Sequence, residues 1–554
     1  MQQHWELISD RRPWGITDIL DILLENRGME STHLRHALAD LAQYLEMKGL
    51  DEAARLMAEH IGRGSSIALV ADYDCDGITS MAQAALFLRE IGYSNFVTFM
   101  PLRDEGYGMP VRAVEDNPDA SLFVILDCGT RDVEAVAAAR RRGADCIVID
   151  HHEVPEDGRA PATVLVNPKQ SGCPSPFKEF CSSGLTLLFL TRLRRCLGDG
   201  RPRPRLGGKY LELAALGTIA DLVPLVRGNR ILTRHGLASV NAGGSLPFRQ
   251  LIEAAGLSNK ALTAGHFGYQ LGPRINAAGR LADPRLAYDL FMCGDPHQAN
   301  QLARELNRLN TERRRLERAI MDQVRHRLTG PPGGRRTLVM GDPGWPVGLV
   351  GIVASRVQQE IQFGPVAILS IDLQTGIARG SARSVPGVDI HHALSQCGDL
   401  LIKWGGHRMA AGLSLNVDSM EAFAARLEEI ASSMSPEIFQ PRGRVDLQLE
   451  PRWVTRELVE ALEQLEPHGV GNSTPTFLLR DVRIQVAERF GRDRNHLRVN
   501  LADGLQGIVW RGTERPDLPE WQNGGRKDVI FKMAWDDYRK IPLCDIRDVG
   551  GMNA

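Results

Sequence analysis

The sequence predicts an α/β protein: a doubly wound parallel-sheet domain, a long connecting helix, a second α/β domain and a small C-terminal β-barrel. Three observations carry this. Short, wholly apolar runs alternate with helical stretches over residues 62–225, as expected of strands that helices bury on both faces. An arginine-rich helical stretch, Asp295 to Leu328, ends in a loop of helix breakers. After Pro441 short strand-like runs replace the helical periodicity.

The elements follow in order. Residues 1–61 read as a helical segment, with apolar positions at helical spacing over Ile16 to Leu24, His33 to Leu45 and Leu50 to Ile61. Ser66 to Ala71 is too short and apolar for a helix and reads as a buried strand, followed by a helix over Ile78 to Ile91 that Gly92 closes. Further strands are expected at Asn95 to Phe99, Leu122 to Leu126, Cys146 to Ile149 and Thr163 to Val166, with an alanine-rich helix over Asp132 to Arg142. Residues 226–334 form a helical connector holding the long basic helix, bounded by the loop Gly330-Pro331-Pro332-Gly333-Gly334. Residues 335–440 form the second mixed domain, with strands at Thr337 to Met340 and Val366 to Ser370. Residues 441–554 carry the barrel, with strands at Val445 to Leu449, Phe477 to Leu479, Val482 to Val486, Leu497 to Asn500, Gln506 to Trp510 and Val529 to Ala534.

Composition narrows the function classes. The 554 residues carry 66 basic and 68 acidic side chains, with 43% hydrophobic and 24% charged residues, which excludes an intrinsically disordered chain. No apolar run reaches the roughly 18 to 20 residues that span a bilayer. The start, Met1-Gln2-Gln3-His4-Trp5-Glu6, lacks a signal-peptide pattern. Nine cysteines without any C-x-x-C pair argue against a zinc ribbon or disulfide framework and fit a reduced, cytoplasmic setting. Near-neutral net charge leaves a nucleic-acid partner open, because the distribution of charge matters more than its sum.

The chemistry lies at strand ends. Asp72-Tyr73-Asp74-Cys75-Asp76-Gly77, Asp127-Cys128-Gly129 and Asp150-His151-His152 each follow an apolar strand, and the carboxyl ends of parallel strands share one edge. Asp221 follows Gly217-Thr218-Ile219-Ala220 at the end of a helical run. Gathered carboxylates repel one another unless a cation lies among them. Oxygen ligands mixed with imidazole suit manganese or magnesium, and so many ligands suit two ions roughly 3.5–4 Å apart. An EF-hand is rejected, because Gln83 stands where a bidentate glutamate is needed. An aspartate-nucleophile phosphatase, which Asp74-Cys75-Asp76-Gly77 after a strand also resembles, needs one magnesium and has no use for Asp150-His151-His152; it stays open as a minority reading. Either short motif alone would be an ordinary turn; their coincidence at strand ends is not.

In order along the chain, these motifs resemble those of the DHH phosphoesterase superfamily. Gly272-Pro273-Arg274-Ile275-Asn276-Ala277-Ala278-Gly279-Arg280, Gly351 to Arg356, Gly380-Ser381-Ala382-Arg383-Ser384 and Leu465 to Asn472 resemble its RecJ single-stranded-DNA exonuclease branch. Gly405-Gly406-His407-Arg408-Met409-Ala410-Ala411-Gly412 resembles the mark of the DHH-associated domain. The resemblance implies a Mn2+- or Mg2+-dependent, two-metal exonuclease that degrades single-stranded DNA from its 5′ end to mononucleotides. It further implies a cleft between two α/β lobes, an OB-fold clamping the strand, and a monomer partnered by a helicase and a single-strand-binding protein. Carried over by position, Asp74, Asp76, Asp127, His151 and Asp221 are metal ligands. Asp72, Asp150 and His152 take catalytic or orienting roles. Arg274, Asn276, Arg280, Ser381, Arg383, Ser384, Gly406 and His407 bind substrate. Pro346 departs from the family pattern, which has histidine after this tryptophan.

Two rival functions remain: a phosphodiesterase for short oligonucleotides or cyclic dinucleotides, and a non-catalytic single-strand-binding subunit. Arg304, Arg308 and Arg315 fall near one face of the long helix, and phosphate contact and plain surface charge both stay open for them. Tyr73, Tyr107 and Trp404 are candidates for base stacking, His391-His392 reads as surface, and Cys75 and Cys128 read as small buried hydrophobes.

Overall fold

The computed structural model describes residues 4–550 apart from 36, 199, 329–333, 502–503, 516–517 and 523. The breaker loop expected to bound the connector at 330–333 therefore lies outside the described residues. The chain divides into two compact units, one of residues 11–310 with 446–548, the other of residues 1–10, 311–445 and 549–554. It passes from one to the other inside a helix, Pro296–Arg327, and inside a strand near Val445.

The first strand, β1 (His4–Ser9), falls where the sequence suggested only helix. It is an edge strand, and its alternation of exposed and part-buried residues is too weak a signal to read from so short a run. The helices Ile16–Glu25 and Leu50–Arg63 form as expected. The helix expected over His33 to Leu45 does not; the chain makes two short 3-10 turns, Ser31–Arg35 and Leu38–Tyr44. The carbonyls that would feed the next helical turn are diverted. His33 O accepts from Arg230 and Leu34 O from Arg234, while Ala37 N donates to the Asp40 carboxylate.

The larger unit holds a five-stranded parallel sheet of β2 (Ile67–Ala71), β3 (Phe96–Phe99), β4 (Leu122–Leu126), β5 (Asp145–Ile149) and β6 (Val164–Val166), in the order β3-β2-β4-β5-β6. Every residue of β2 and β4 is buried, as wholly apolar strands require. One face packs on the helices Leu50–Arg63, Cys75–Glu90 and Ser182–Cys196, and the other covers the helix Val133–Arg141. The helix after β2 starts at Cys75, earlier than the expected Ile78, because Asp74 caps it: its carboxylate accepts from Asp76 N and Gly77 N.

The smaller unit carries β7 (Leu338–Asp342), β8 (Val366–Asp372), β9 (Ile377–Arg383), β10 (Lys403–Gly406) and β11 (Ala410–Asn416), in the order β10-β11-β9-β8-β7. Only β7–β8 is parallel. β1 pairs with β12 (Arg442–Gln448), His4 N donating to Pro441 O.

The C-terminal strands are β13 (Phe477–Phe490), β14 (His496–Leu501), β15 (Gln506–Val509), β16 (Arg526–Asp536) and β17 (Ile541–Val549). Their ladder runs β13-β14-β15-β17-β16 and returns to β13, so the barrel closes. The two strands expected at Phe477 to Leu479 and Val482 to Val486 are one long strand. An irregularity between Leu479 and Val482, with Asp481 at φ +49°, bends it so that it pairs with both neighbours.

Candidate metal centre

β2, β4 and β5 are adjacent and in parallel register, Ala71 opposite Leu126 and Leu126 opposite Ile149. The next residue on each strand is an aspartate: Asp72, Asp127 and Asp150. Three remote segments therefore deliver carboxylates to one rim at one level. All three are buried.

Local geometry explains the residues around them. A Cβ on Gly77 would fall 2.3 Å from Asp72 O, so only glycine lets the helix Cys75–Glu90 start this close to β2. Asp127 itself takes the left-handed conformation, φ +63°, an uncommon state for a residue with a side chain. Asp76 Oδ2 and Oδ1 accept from Ser182 N and Ser183 N, 2.7 and 2.9 Å, at the start of the helix Ser182–Cys196. That helix start favours negative charge at Asp76. Asp221 caps the C-terminal end of the helix Lys209–Ala220.

Ligand atoms of Asp76, His151 and Asp221 lie within 4.8 Å of one another, as do those of Asp72, Asp74 and Asp127, and those of Asp127, His151 and His152. His151 Nε2 stands 3.4 Å from Asp127 Oδ1, 3.5 Å from Asp221 Oδ2 and 3.9 Å from Asp76 Oδ2. Asp72 Oδ1 and Asp127 Oδ1 are buried with no hydrogen-bond partner among the described residues, a costly state unless a cation takes them. Burial first, and neighbouring carboxylates second, push Asp72, Asp127 and Asp221 well above the ordinary carboxylate range and Asp76 up to about 6. Such a set fits hard divalent cations at two adjacent positions.

Asp150 behaves differently. Burial alone would raise it, but the hydrogen bond from His152 and the charges of His152 and His151 hold it below the ordinary range. Its Oδ1 accepts from His151 N, His152 N and His152 Nδ1, and its Oδ2 from Thr130 N. It orients the His152 ring and holds the backbone of both histidines. His152 is raised in turn: burial opposes this, and the Asp150 hydrogen bond and charge outweigh it.

Several participants were not visible as such in the sequence. Tyr107 Oη donates to Asp127 O at 2.9 Å and lies 3.0 Å from His152 Nδ1, so its polar end is committed to the centre although the residue is 55% exposed. Asp132 holds that loop by accepting from Met109 N and Gly129 N. Tyr73, a stacking candidate in the sequence, is buried beneath the Arg103 guanidinium, 4.3 Å from the ring centroid, and so presents no face to a base. The Cys-Ser-Ser-Gly run at 181–184 carries no local sign of its tie to Asp76.

The expected substrate residues fall into two groups. The helix Gly272–Leu281 packs on the metal loop: Asn276 Oδ1 accepts from Cys75 N at 2.7 Å, and a Cβ on Gly279 would lie 2.7 Å from Tyr73 O. Arg274 is buried, with Nε on Asn307 Oδ1 and Nη1 on Gln270 O, while Arg280 is half-buried on the same helix. In the other unit Arg383 is half-buried with no carboxylate partner among the described residues. Its Nε donates to Ser355 Oγ, and Nη1 to Ser381 Oγ and Ala382 O. Burial lowers its pKa. Ser384 is buried, its hydroxyl donating to Val388 O. Gly406, at φ +146°, ends β10, and His407 is exposed in the turn to β11, closed by a bond from His407 N to Ala410 O. Trp404 lies against Gly398. Pro346 precedes the helix Val347–Glu360, and Trp345 is buried with Nε1 on Gln323 Oε1.

Residues 66–218 match the DHH family, N-terminal domain; residues 334–433 match the DHHA1 domain and 445–545 the RecJ OB domain. The Bacillus subtilis single-stranded-DNA-specific exonuclease RecJ is 32% identical over 96% of this chain and 68% of its own length. Its Escherichia coli counterpart is 31% identical over 95% and 94%. The chain belongs to the RecJ family. The RecJ crystal structure from Thermus thermophilus in complex with Mn2+ superposes with a TM-score of 0.84, at 29% identity, covering 100% of this chain and 80% of that one. The RecJ structure with Mg2+ from the same organism gives 0.78 at 28% identity, covering 79% of that chain. Mn2+ and Mg2+, bound in those two RecJ structures, are the cations that the donor set here fits.

Proposed function

We propose that this chain is a single-stranded-DNA-specific exonuclease that hydrolyses phosphodiester bonds from the 5′ end and releases 5′-mononucleotides, in DNA repair and recombination. The observation that carries the reading is the convergence of seven carboxylate and imidazole groups at one sheet rim, in three overlapping sets joined through Asp127 and His151. Membership of the RecJ family supports the substrate, and the 5′ polarity rests on that membership alone.

In this reading Asp76, His151 and Asp221 hold one cation, and Asp74 and Asp127, with Asp72 beside them, hold the other. Mn2+ or Mg2+ bound there supplies Lewis acidity toward a phosphoryl oxygen and makes water a competent nucleophile near neutral pH. The protein's own groups do the rest. Asp150 fixes the imidazole of His152 through Nδ1 and the backbone of His151 through its N–H. His152, its Nδ1 turned to Asp150, is placed to offer its Nε2 N–H to a non-bridging phosphate oxygen. Asn276 keeps the Asp72–Asp76 loop in shape through Cys75 N. Arg383, a half-buried cation framed by Ser355 and Ser381 hydroxyls, accepts a phosphate of the strand, with Gly406 and His407 on the neighbouring turn. No side chain is needed as a covalent nucleophile.

Among the described residues no helix is long and apolar enough to cross a membrane, and all nine cysteines are free thiols. We place the enzyme in the cytoplasm with its DNA substrate, acting as a monomer on single strands that a helicase and a single-strand-binding protein supply. Digestion of single-stranded DNA labelled at either end, with Mn2+ and with chelator, tests the reading. Metal-dependent mononucleotide release from the 5′ label is expected; resistance of the DNA, or cleavage only of dinucleotides, would overturn it.

A further inference from the structure

We infer that the turn Gly469-Val470-Gly471-Asn472 is a positioning device for Asp221, and that it sets how tightly the centre holds its cations. The inference rests on the assignment of Asp221 as a metal ligand and adds the means by which that ligand is held.

Three other carboxylates of the centre are fixed through their own oxygens by backbone amides. Asp76 accepts from Ser182 N and Ser183 N, Asp74 from Asp76 N and Gly77 N, and Asp150 from Thr130 N, His151 N and His152 N. The Asp221 carboxylate accepts no backbone hydrogen bond among the described residues and lies at the end of a helix. Its position must therefore come from its own backbone. Beyond it the chain leaves the helix through Leu222 in the left-handed conformation, φ +60°, a state that only firm flanking contacts would maintain.

Those contacts come from residues far along the sequence. Leu225 N donates to Val470 O at 2.7 Å. A Cβ on Gly469 would fall 2.6 Å from Leu225 Cδ1, and one on Gly471, at φ +73°, 3.0 Å from Pro224 Cβ. The turn thus presents bare backbone to Pro224-Leu225 at a separation that no larger residue permits. It is itself rigid: Gly469 and Asn472 exchange both backbone hydrogen bonds, and the buried Asn472 side chain donates to Leu465 O and Pro467 O. Arg230 locks both partners together. Its side chain is fully buried, and its Nη2 donates to Gln464 O and Glu466 O while its backbone N donates to Val226 O. Asn229 adds a bond to Pro224 O. A segment leading into the barrel strand β13 therefore clamps the residues that follow a metal ligand.

The test uses the full chain and Mn2+ alone as the probe. Gly469→Ala, Leu225→Ala and the double variant form a cycle in which the second change removes the atoms that the new methyl meets. Calorimetric Mn2+ affinity, the Mn2+ concentration for half-maximal hydrolysis, and single-stranded-DNA affinity in chelator are measured for each. Gly469→Ala is expected to weaken Mn2+ binding about tenfold with DNA affinity in chelator unchanged, and the double variant to recover most of the loss. Should Gly469→Ala fail to fold, Asn472→Ala and its Mn2+ affinity decide the matter, with the same expectation. Unaltered Mn2+ affinity in the folded variants, or a double variant no better than Gly469→Ala, overturns the inference. Failure of the wild-type chain to bind Mn2+ would instead overturn the metal assignment itself.

Discussion

His151 Nε2 stands 3.4 Å from Asp127 Oδ1 although the two residues follow different strands, β5 and β4. Asp127 also belongs, with Asp72 and Asp74, to a second group of candidate ligands, so this pair joins the two candidate groups. Asp127→Ala and His151→Ala are each expected to abolish hydrolysis, by a factor on the order of a thousand or more, given how much a two-metal site contributes. Binding of single-stranded DNA should stay measurable, because the barrel and the basic helix are untouched. End-labelled digestion and equilibrium binding in chelator check both halves; near-normal hydrolysis by either variant refutes the ligand assignment.

The centre should make stability depend on pH in a direction opposite to ordinary salt-bridged carboxylates. Asp76 is raised from 3.8 to about 6, by burial and then by Asp74. Between those values the folded protein binds more protons than the unfolded chain, so this group's contribution to stability falls as pH rises through the window. Cations bind the ionised form, so their stabilisation grows over the same rise. Thermal melts in chelator should therefore show wild type losing ground to Asp76→Asn as pH climbs toward 6, with Mn2+ reversing the order. A wild type that gains on Asp76→Asn in chelator over that range contradicts the prediction.

The basic helix divides into paired and unpaired arginines. Arg308 and Arg315 each form a two-pronged pair with Glu305 and Glu312. Arg304, Arg314 and Arg318 are exposed and make no ion pair among the described residues. Replacing these three with alanine should flatten the slope of log affinity against log salt by about 2 for single-stranded DNA. Replacing Arg308 and Arg315 should change it by less. Equal effects from the two sets would show that the pairing does not matter.

Arg383→Lys should behave as a loss rather than a conservative change. The guanidinium reaches Ser355 Oγ, Ser381 Oγ and Ala382 O at once, and an ammonium cannot reproduce that fork. KM for single-stranded DNA is expected to rise about tenfold or more with kcat less affected, as for a group that binds phosphate without touching the reacting atoms. Steady-state kinetics decide it; a fall in kcat alone would assign Arg383 a different role.

Arg230→Met should destabilise the protein by about 3 kcal/mol, since it removes a fully buried guanidinium that donates to His33 O, Gln464 O and Glu466 O. Denaturant unfolding measures this, and a loss below about 1 kcal/mol would mean that water replaces the guanidinium.

Local signals account for what the sequence revealed. Wholly apolar runs marked β2, β4 and β5, and their parallel arrangement followed from the intervening helices, so the meeting of Asp72, Asp127 and Asp150 at one rim was legible before any coordinates. The helix after β2 was expected to begin at Ile78 and begins at Cys75, because capping depends on the Asp74 side chain turning back to the amides of residues 76 and 77. The expected helix at His33 to Leu45 failed because Arg230 and Arg234, far away in sequence, take its carbonyls.

The sequence by itself therefore determined the α/β class and the acidic and imidazole side chains that stand at each strand end, since period, run length and turn residues are written in neighbouring positions. Only the tertiary structure decided which of these side chains stand within ligand distance of one another, that Asp150 accepts from Thr130 and His152 while Asp127 Oδ1 has no hydrogen-bond partner among the described residues, that Tyr107 and Asn276 bond to the strand-end loops, and that a turn at 469–472 grips the chain behind Asp221. Each of these depends on groups brought within a few ångströms by packing, and hydrogen bonds and desolvation act over that distance in space regardless of separation along the chain.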